Sequence, residues 1–251
     1  MNNRGIMTYE EKKELSKADY RAQQGIHTTE TTPTTITQKH IDFAKELGGE
    51  IELITVVADP YGLYGWCSDG VEEKISNEGG DIVFGWTIWE WPKLMLTAEF
   101  HAVYKNENEH IFDITPKPHG EKHIAFVRNN QYKRDFDFDL RPRNQRIRIY
   151  EPIDVSKVVD EQIEQMSSLQ RSYEERRATK KGMDIKSWMM SKQKKDDVPY
   201  LVDELICCVN ERDELMDAIQ GYGAIEVNGK LKDLFIRSDK IVKKLRSVRI
   251  Y

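Results

Sequence analysis

Hydrophobic positions in this chain follow two rhythms, a period of two before residue 150 and steps of three and four after it. Ile51–Val57 alternates and then fills with apolar residues, which reads as a buried strand ended by Asp59-Pro60. Phe84, Trp86 and Ile88 alternate, with Trp89 and Trp91 on the opposite face, so a strand is predicted over 82–91, closed by Pro92. Leu94–Tyr104 and His110–Thr115 read as two more strands joined by the polar turn 105–109. Ile124–Val127, Phe136–Leu140 and Ile147–Ile149 complete a strand-rich block. Beyond Pro152, Val155, Val159, Ile163, Met166, Leu169 and Tyr173 recur at helical steps and predict one long amphipathic helix. The charged stretch Arg176–Lys195 reads as a loop or an exposed helix. Pro199 opens a further helix whose stripe Leu201, Leu205, Cys208, Leu215 and Ile219 runs up to Gly221.

The N-terminal stretch is different again. Residues 8–24 suit a helix that is polar almost all round, with Leu15, Ala18 and Tyr20 to bury, and such a helix needs a partner surface. Thr28–Thr37 reads as a polar, β-branched linker around Pro33. Thr37 can cap a helix over 38–47 whose Ile41, Ala44 and Leu47 share a face, stopped by Gly48-Gly49. The expected organisation is an arm and linker at 1–48, a strand-rich core at 49–150 and a mainly helical region at 151–251, an α+β class.

Composition narrows the function classes. At 251 residues the chain can bury a real core as one large domain or two small ones. Hydrophobic residues reach 39% and charged residues 32%, so a large solvated surface is expected. No apolar run approaches the roughly 18 residues of a membrane span, and no membrane partner is expected. No apolar stretch follows Arg4, so no secretory signal is read, and Cys67, Cys207 and Cys208 cannot build a disulfide framework. The expectation is a cytoplasmic protein with reduced thiols. A net charge of −5 argues against a general nucleic-acid binder. The basic residues Arg237, Lys240, Lys243, Lys244, Arg246 and Arg249 read as a solvated helix face, and the C-terminal helices could engage a protein partner.

The chemistry-bearing pattern is the order Cys67, His101, Asp113. A thiol becomes a useful nucleophile as the thiolate, which a nearby imidazole or a helix N-terminus favours. Gly65 lets the chain turn tightly, and Cys67 then stands at the start of a short helix. If the turn after Tyr104 is centred on Glu107, His101 and Asp113 fall directly opposite each other on one hairpin face, about 5 Å apart at Cβ. A carboxylate so placed holds one imidazole nitrogen and leaves the other for the thiol. On that basis Asp113→Asn is expected to lower turnover more than stability. Trp66, beside the thiol, and Trp86 and Trp89 on the neighbouring strand are candidates to line a substrate groove. Four histidines cluster between 101 and 123, but without CxxC or HExxH spacing no metal is assigned, and no cofactor is called for. Cys207 and Cys208 sit in an apolar stripe and read as core.

These residues carry a family resemblance. Gly65-Trp66-Cys67, a short helix, and Gly79-Gly80-Asp81-Ile82-Val83-Phe84-Gly85-Trp86 resemble the nucleophile segment of transglutaminase-like proteins. Phe100-His101-Ala102-Val103-Tyr104 and Phe112-Asp113-Ile114-Thr115-Pro116 resemble that family's histidine and aspartate hairpin. The resemblance covers residues 60–117. Two features depart from the family pattern: the helix after Cys67 is polar and contains Gly70, and the D-P-T signature is altered. The resemblance implies a papain-like α+β core with an antiparallel sheet, in which Cys67 is the nucleophile, His101 the base and Asp113 the orienting acid. The implied activity is thiol-dependent acyl chemistry, as hydrolysis of a peptide, isopeptide or amide bond, on a peptide, protein or amide-containing small molecule. Transfer is disfavoured because no second acceptor site is marked. The alternative is a non-catalytic binding module that holds a protein or small ligand in an aromatic cleft.

Overall fold

The computed structural model describes residues 7–26, 28–218 and 229–248; Ile219, Gly221 and Arg249 lie outside the described residues. The chain is α+β. One sheet contains β1 (Ile51–Thr55), β2 (Asp81–Trp91), β3 (Met95–Lys105), β4 (Ile111–Phe112), β5 (His123–Arg128) and β6 (Gln145–Arg148). Its order is β1-β5-β2-β3-β4, with β6 paired to Met95–Ala98 of β3. The two ends of that order meet. Just past β1 and β4, the Asp113 N–H donates to Thr55 O at 3.0 Å and the Val57 N–H donates to Asp113 O at 2.8 Å. The sheet thereby closes on itself, which pairs backbone that an open sheet would leave exposed.

The pleat sorts the side chains into two cores. Ile54, Val83, Val103, Ile124 and Phe126 form one cluster within the closed sheet. Phe84, Trp86, Phe100, Ala102 and Tyr104 point to the other side, where they share a cluster with helices α2 (Gln38–Glu46) and α3 (Cys67–Glu78). Helix α2 buries His40, Phe43 and Ala44, with Leu47 just past its end, while Ile41 faces outward, one position off the expected face. The segment expected to be only an arm thus supplies part of the core. In β1 only Ile54 is buried and Leu53 and Val57 are exposed, so the strand is half-solvated rather than buried.

Phe136–Leu140 is not a strand. Phe138–Leu140 forms a 3-10 turn, and the rings of Phe136 and Phe138 pack on Phe84 at 5.5 and 6.0 Å. The alternation there reflects aromatic packing instead of strand pairing. The long helix expected after Pro152 is two helices, α4 (Val155–Glu164) and α5 (Ser168–Lys180). Ser167 starts the second: its hydroxyl accepts from Gln170 N at 3.3 Å while Gln170 Oε1 accepts from Ser167 N at 3.0 Å, a reciprocal cap. Of the predicted stripe Val159 is fully buried, whereas Leu169 and Tyr173 are 77% and 52% exposed. Helix α6 (Ile185–Ser191) packs against both.

Helices α7 (Val198–Ala218) and α8 (Gly229–Ser247) close the β2–β3 end of the sheet. Leu94 and Met95 are buried there with Val202, Leu205, Cys208, Leu234, Ile241 and Leu245. The side chains of β6 add polar ties, with Arg146 on Asp213 at 2.6 Å and Arg148 on Asp203 at 2.8 Å. The Thr-rich linker lies along the sheet: Thr31 exchanges two backbone hydrogen bonds with Glu90, and Thr97 Oγ1 donates to Glu30 Oε1 at 2.7 Å. Helix α1 (Tyr9–Gln23) precedes it, capped by Thr8, and buries Ser16 while Leu15 and Ala18 face solvent.

The break at Ser167 has a measurable consequence. Val159→Ala is expected to cost roughly 1–3 kcal/mol in urea unfolding, as a loss of buried methyl groups, whereas Leu169→Ser is expected to stay within about 0.5 kcal/mol. A large cost for Leu169→Ser would mean that the predicted stripe packs after all.

Candidate active site

Cys67 is the first residue of α3 and Trp66 its N-cap. No side chain caps this helix, so the first-turn N–H donors, including that of Cys67, are not occupied by a cap. Gly70, a poor helix former, is required here by a close approach: a Cβ at this position would lie 2.6 Å from Tyr61 O and 3.2 Å from Leu63 N. The loop before the thiol therefore packs directly on the first turn of α3. Cys67 is buried and belongs to the same cluster as Val71, Phe100, Ala102 and Ile114.

His101 lies in the middle of β3. Between the pairing with β6 and the pairing of Tyr104 and Lys105 with β4, residues 99–103 have no strand partner on that edge among the described residues. On the other edge His101 pairs with Gly85. A Cβ on Gly85 would sit 2.6 Å from the Phe126 ring and 2.3 Å from Val127 O, so that position must stay bare. The pleat turns His101 away from Phe100 and Ala102, toward the interior of the closed sheet.

The hairpin register differs from the expected one. The turn runs from Asn106 to His110, with the Asn106 N–H donating to His110 O at 2.9 Å and Glu109 at φ 62°. Tyr104 therefore faces Phe112, a shift of two residues. A shift of two preserves the face, whereas a shift of one would reverse it. Asp113 is not directly opposite His101; it lies beyond the end of β4, held by the bridge to β1. Its Oδ2 is nevertheless 3.1 Å from His101 Nε2.

A third charge completes the cluster. Lys117 Nζ lies 2.7 Å from Asp113 Oδ2, with its side chain 7% exposed, and 5.8 Å above the Trp89 ring. Both contacts to Oδ2 are off hydrogen-bond alignment, so charge pairing dominates them; Oδ1 accepts from Thr115 N at 2.8 Å. Burial pulls the His101 imidazole down, but the Asp113 carboxylate and then the anionic form of Cys67 outweigh it. Lys117 opposes the rise, and the pKa of His101 is raised from 6.5 to about 10. Burial pushes the Asp113 carboxyl up, and His101 and Lys117 together overcome it, holding the group well below the ordinary carboxylate range.

The three predicted residues are thus gathered from three separate segments, though unequally. His101 and Asp113 touch. Cys67 is near enough for its anionic form to act on the imidazole, but no hydrogen bond joins the two, and its cluster lies on the other side of β3. Trp86 is corrected to a core residue: it is 4% exposed and meets Phe100 edge-on at 5.2 Å, on the face away from His101. Trp89 is on the His101 side, half-buried under Lys117, and its Nε1 donates to Glu99 at 2.8 Å. Trp66 lies beside the thiol, half-buried. Lys117 was missed by sequence reasoning; its only trace is a cation four residues past Asp113, beyond Pro116, where no helical spacing links the two. Compared with protein-family models, curated proteins and solved structures, the chain matches none.

Lys117 changes the expectation for Asp113. Asp113→Asn leaves two cations buried without a counter-charge and is expected to cost about 3–5 kcal/mol in denaturant unfolding, instead of acting mainly on turnover. The cost depends on pH. A histidine raised from 6.5 to about 10 stabilises the fold fully below pH 6.5 and loses that contribution as pH rises through about 10. The wild-type advantage over Asp113→Asn is therefore expected to shrink from neutral pH toward pH 10. An advantage constant across that window would show that His101 is not protonated in the fold.

Proposed function

We propose that the chain carries out thiol-dependent acyl chemistry, by hydrolysing a peptide, isopeptide or amide bond, on a papain-like or transglutaminase-like core. The observation that carries this reading is the buried approach of His101 Nε2 to Asp113 Oδ2 at 3.1 Å, in a fold that also sets Cys67 at the start of α3. An imidazolium held at neutral pH beside a sulfur stabilises the thiolate. In this reading the resting site is an ion pair: Cys67 attacks the carbonyl carbon as thiolate, and His101 gives its proton to the leaving amine. The neutral imidazole then takes a proton from water that attacks the acyl-thiol intermediate, which releases the acid and regenerates the pair. The uncapped N–H of Cys67 can donate to the developing oxyanion. Asp113 keeps His101 charged from the Nε2 side, which leaves Nδ1 for the thiol.

A second reading, a binding module that is not catalytic, draws on a different observation. Cys67 and His101 belong to opposite sides of β3 and share no hydrogen bond. An open groove lined by Thr28–Thr31, Trp91, Pro92, His119 and Arg246 offers such a module a place to hold a ligand.

Alkylation separates the two. Cys67 is expected to react with iodoacetamide well below pH 8, at a rate that drops in His101→Gln, while Cys67→Ala removes any amide hydrolysis and Cys207→Ala does not. Labelling of Cys67 that begins only above pH 8 and ignores His101 would transfer the case to the binding module.

A further inference from the structure

The contacts of α1 with the rest of the chain gather on residues 61–69, the loop and first turn that carry Cys67. This helix has no apolar stripe to hold it, so long side chains do so. Tyr9 Oη donates to Tyr61 O at 3.3 Å, and the rings of Tyr20 and Tyr64 meet edge-on at 6.1 Å. Between these two anchors the Lys12 ammonium pairs with the Asp69 carboxylate and lies 5.0 Å from the centre of the Trp66 ring. The Lys12 side chain is 18% exposed. Glu72, one turn along α3, has its pKa raised by burial and by the Asp69 carboxylate, and Lys12 opposes that rise.

An aromatic face and a carboxylate converging on one ammonium make a receptor for that group, because each attraction strengthens as water is thinned around the cation. Trp66 and Asp69 stand immediately before and two residues after Cys67. We infer that this corner is a recognition site for the lysine side chain of a polypeptide, and that α1 fills it with the chain's own Lys12 until an incoming lysine displaces it. As a statement about substrate the inference rests on the thiol reading above: the lysine is held next to the scissile bond, and its nitrogen is not the reacting group. Tethering through the Thr-rich linker gives Lys12 an effective concentration on the order of millimolar, so a free peptide competes poorly with it.

The test uses the full chain with Lys12→Met, which keeps side-chain length and helix propensity but removes the ammonium. A capped Gly/Ser peptide with one lysine, and a twin with norleucine in its place, are titrated while tryptophan fluorescence is followed. The lysine peptide is expected to bind Lys12→Met at least roughly tenfold tighter than wild type. That affinity should fall with added salt, and the norleucine twin should not bind. Adding Asp69→Asn should abolish the gain while near-UV circular dichroism stays that of the wild type. Equal binding of the lysine peptide to wild type and Lys12→Met, or equal binding of both peptides to the variant, overturns the inference. So does a gain that survives Asp69→Asn. The titration needs no turnover, so it reports on the lysine site whether or not Cys67 acts as a nucleophile; the alkylation profile reports on the latter.

Discussion

Everything around the candidate site depends on one buried residue, Asp113. Its backbone makes the two hydrogen bonds that join the ends of the sheet, and its carboxylate gathers His101, Lys117 and the Thr115 N–H. Closing the sheet and assembling the charge cluster are therefore one event. A carboxylate with no exposed surface is tolerable only if its charge is compensated, and here two cations compensate it. The surplus positive charge leaves the cluster asking for an anion. Cys67 is close enough for its anionic form to enter the balance of charge on His101.

The helical region is fixed to this core chiefly by burial. Leu94 and Met95, at the turn between β2 and β3, insert among Val202, Leu205, Leu234, Ile241 and Leu245. The arginines of β6 add ties to α7, of which the Arg146–Asp213 pair is the best shielded; Arg143, two residues before β6, makes exposed pairs with Glu214 and Asp217 that add little at physiological salt. Helices α7 and α8 thus cover the end of the sheet formed by the β2–β3 turn. Helices α4 to α6 form their own small cluster, which explains why the charged stretch 176–195 can be helical without a large apolar face.

The sequence announced the strands well because alternation in β2 and β3 reports directly on a two-sided sheet. It announced His101 and Asp113 for the same reason, since positions on one face survive a register shift of two. The shift itself was not legible. It depends on Asn106 satisfying Asn108 and His110 through its side chain, and on Glu109 adopting a positive φ, neither of which hydrophobic pattern encodes. Trp86 misled because composition cannot say which face of a strand is dry; both faces of β2 are buried over 82–88. The two-helix break was legible in principle, as Ser167 and Gln170 carry the reciprocal capping pattern that an unbroken stripe obscured. Lys117 had no signal at all, because irregular backbone past Pro116 brings it back.

Lys117 also tempers the hold of Asp113 on the His101 proton. Without it, a carboxylate against an imidazole in a dry site would hold the proton on His101 more firmly still. By competing for the same carboxylate oxygen, Lys117 lowers the hold of Asp113 on that proton, and the ring of Trp89 helps keep the ammonium in place. In the reaction proposed above His101 first donates a proton and then accepts one, which calls for an intermediate basicity. The neighbouring cation moves His101 in that direction, because it opposes the rise that the Asp113 carboxylate produces.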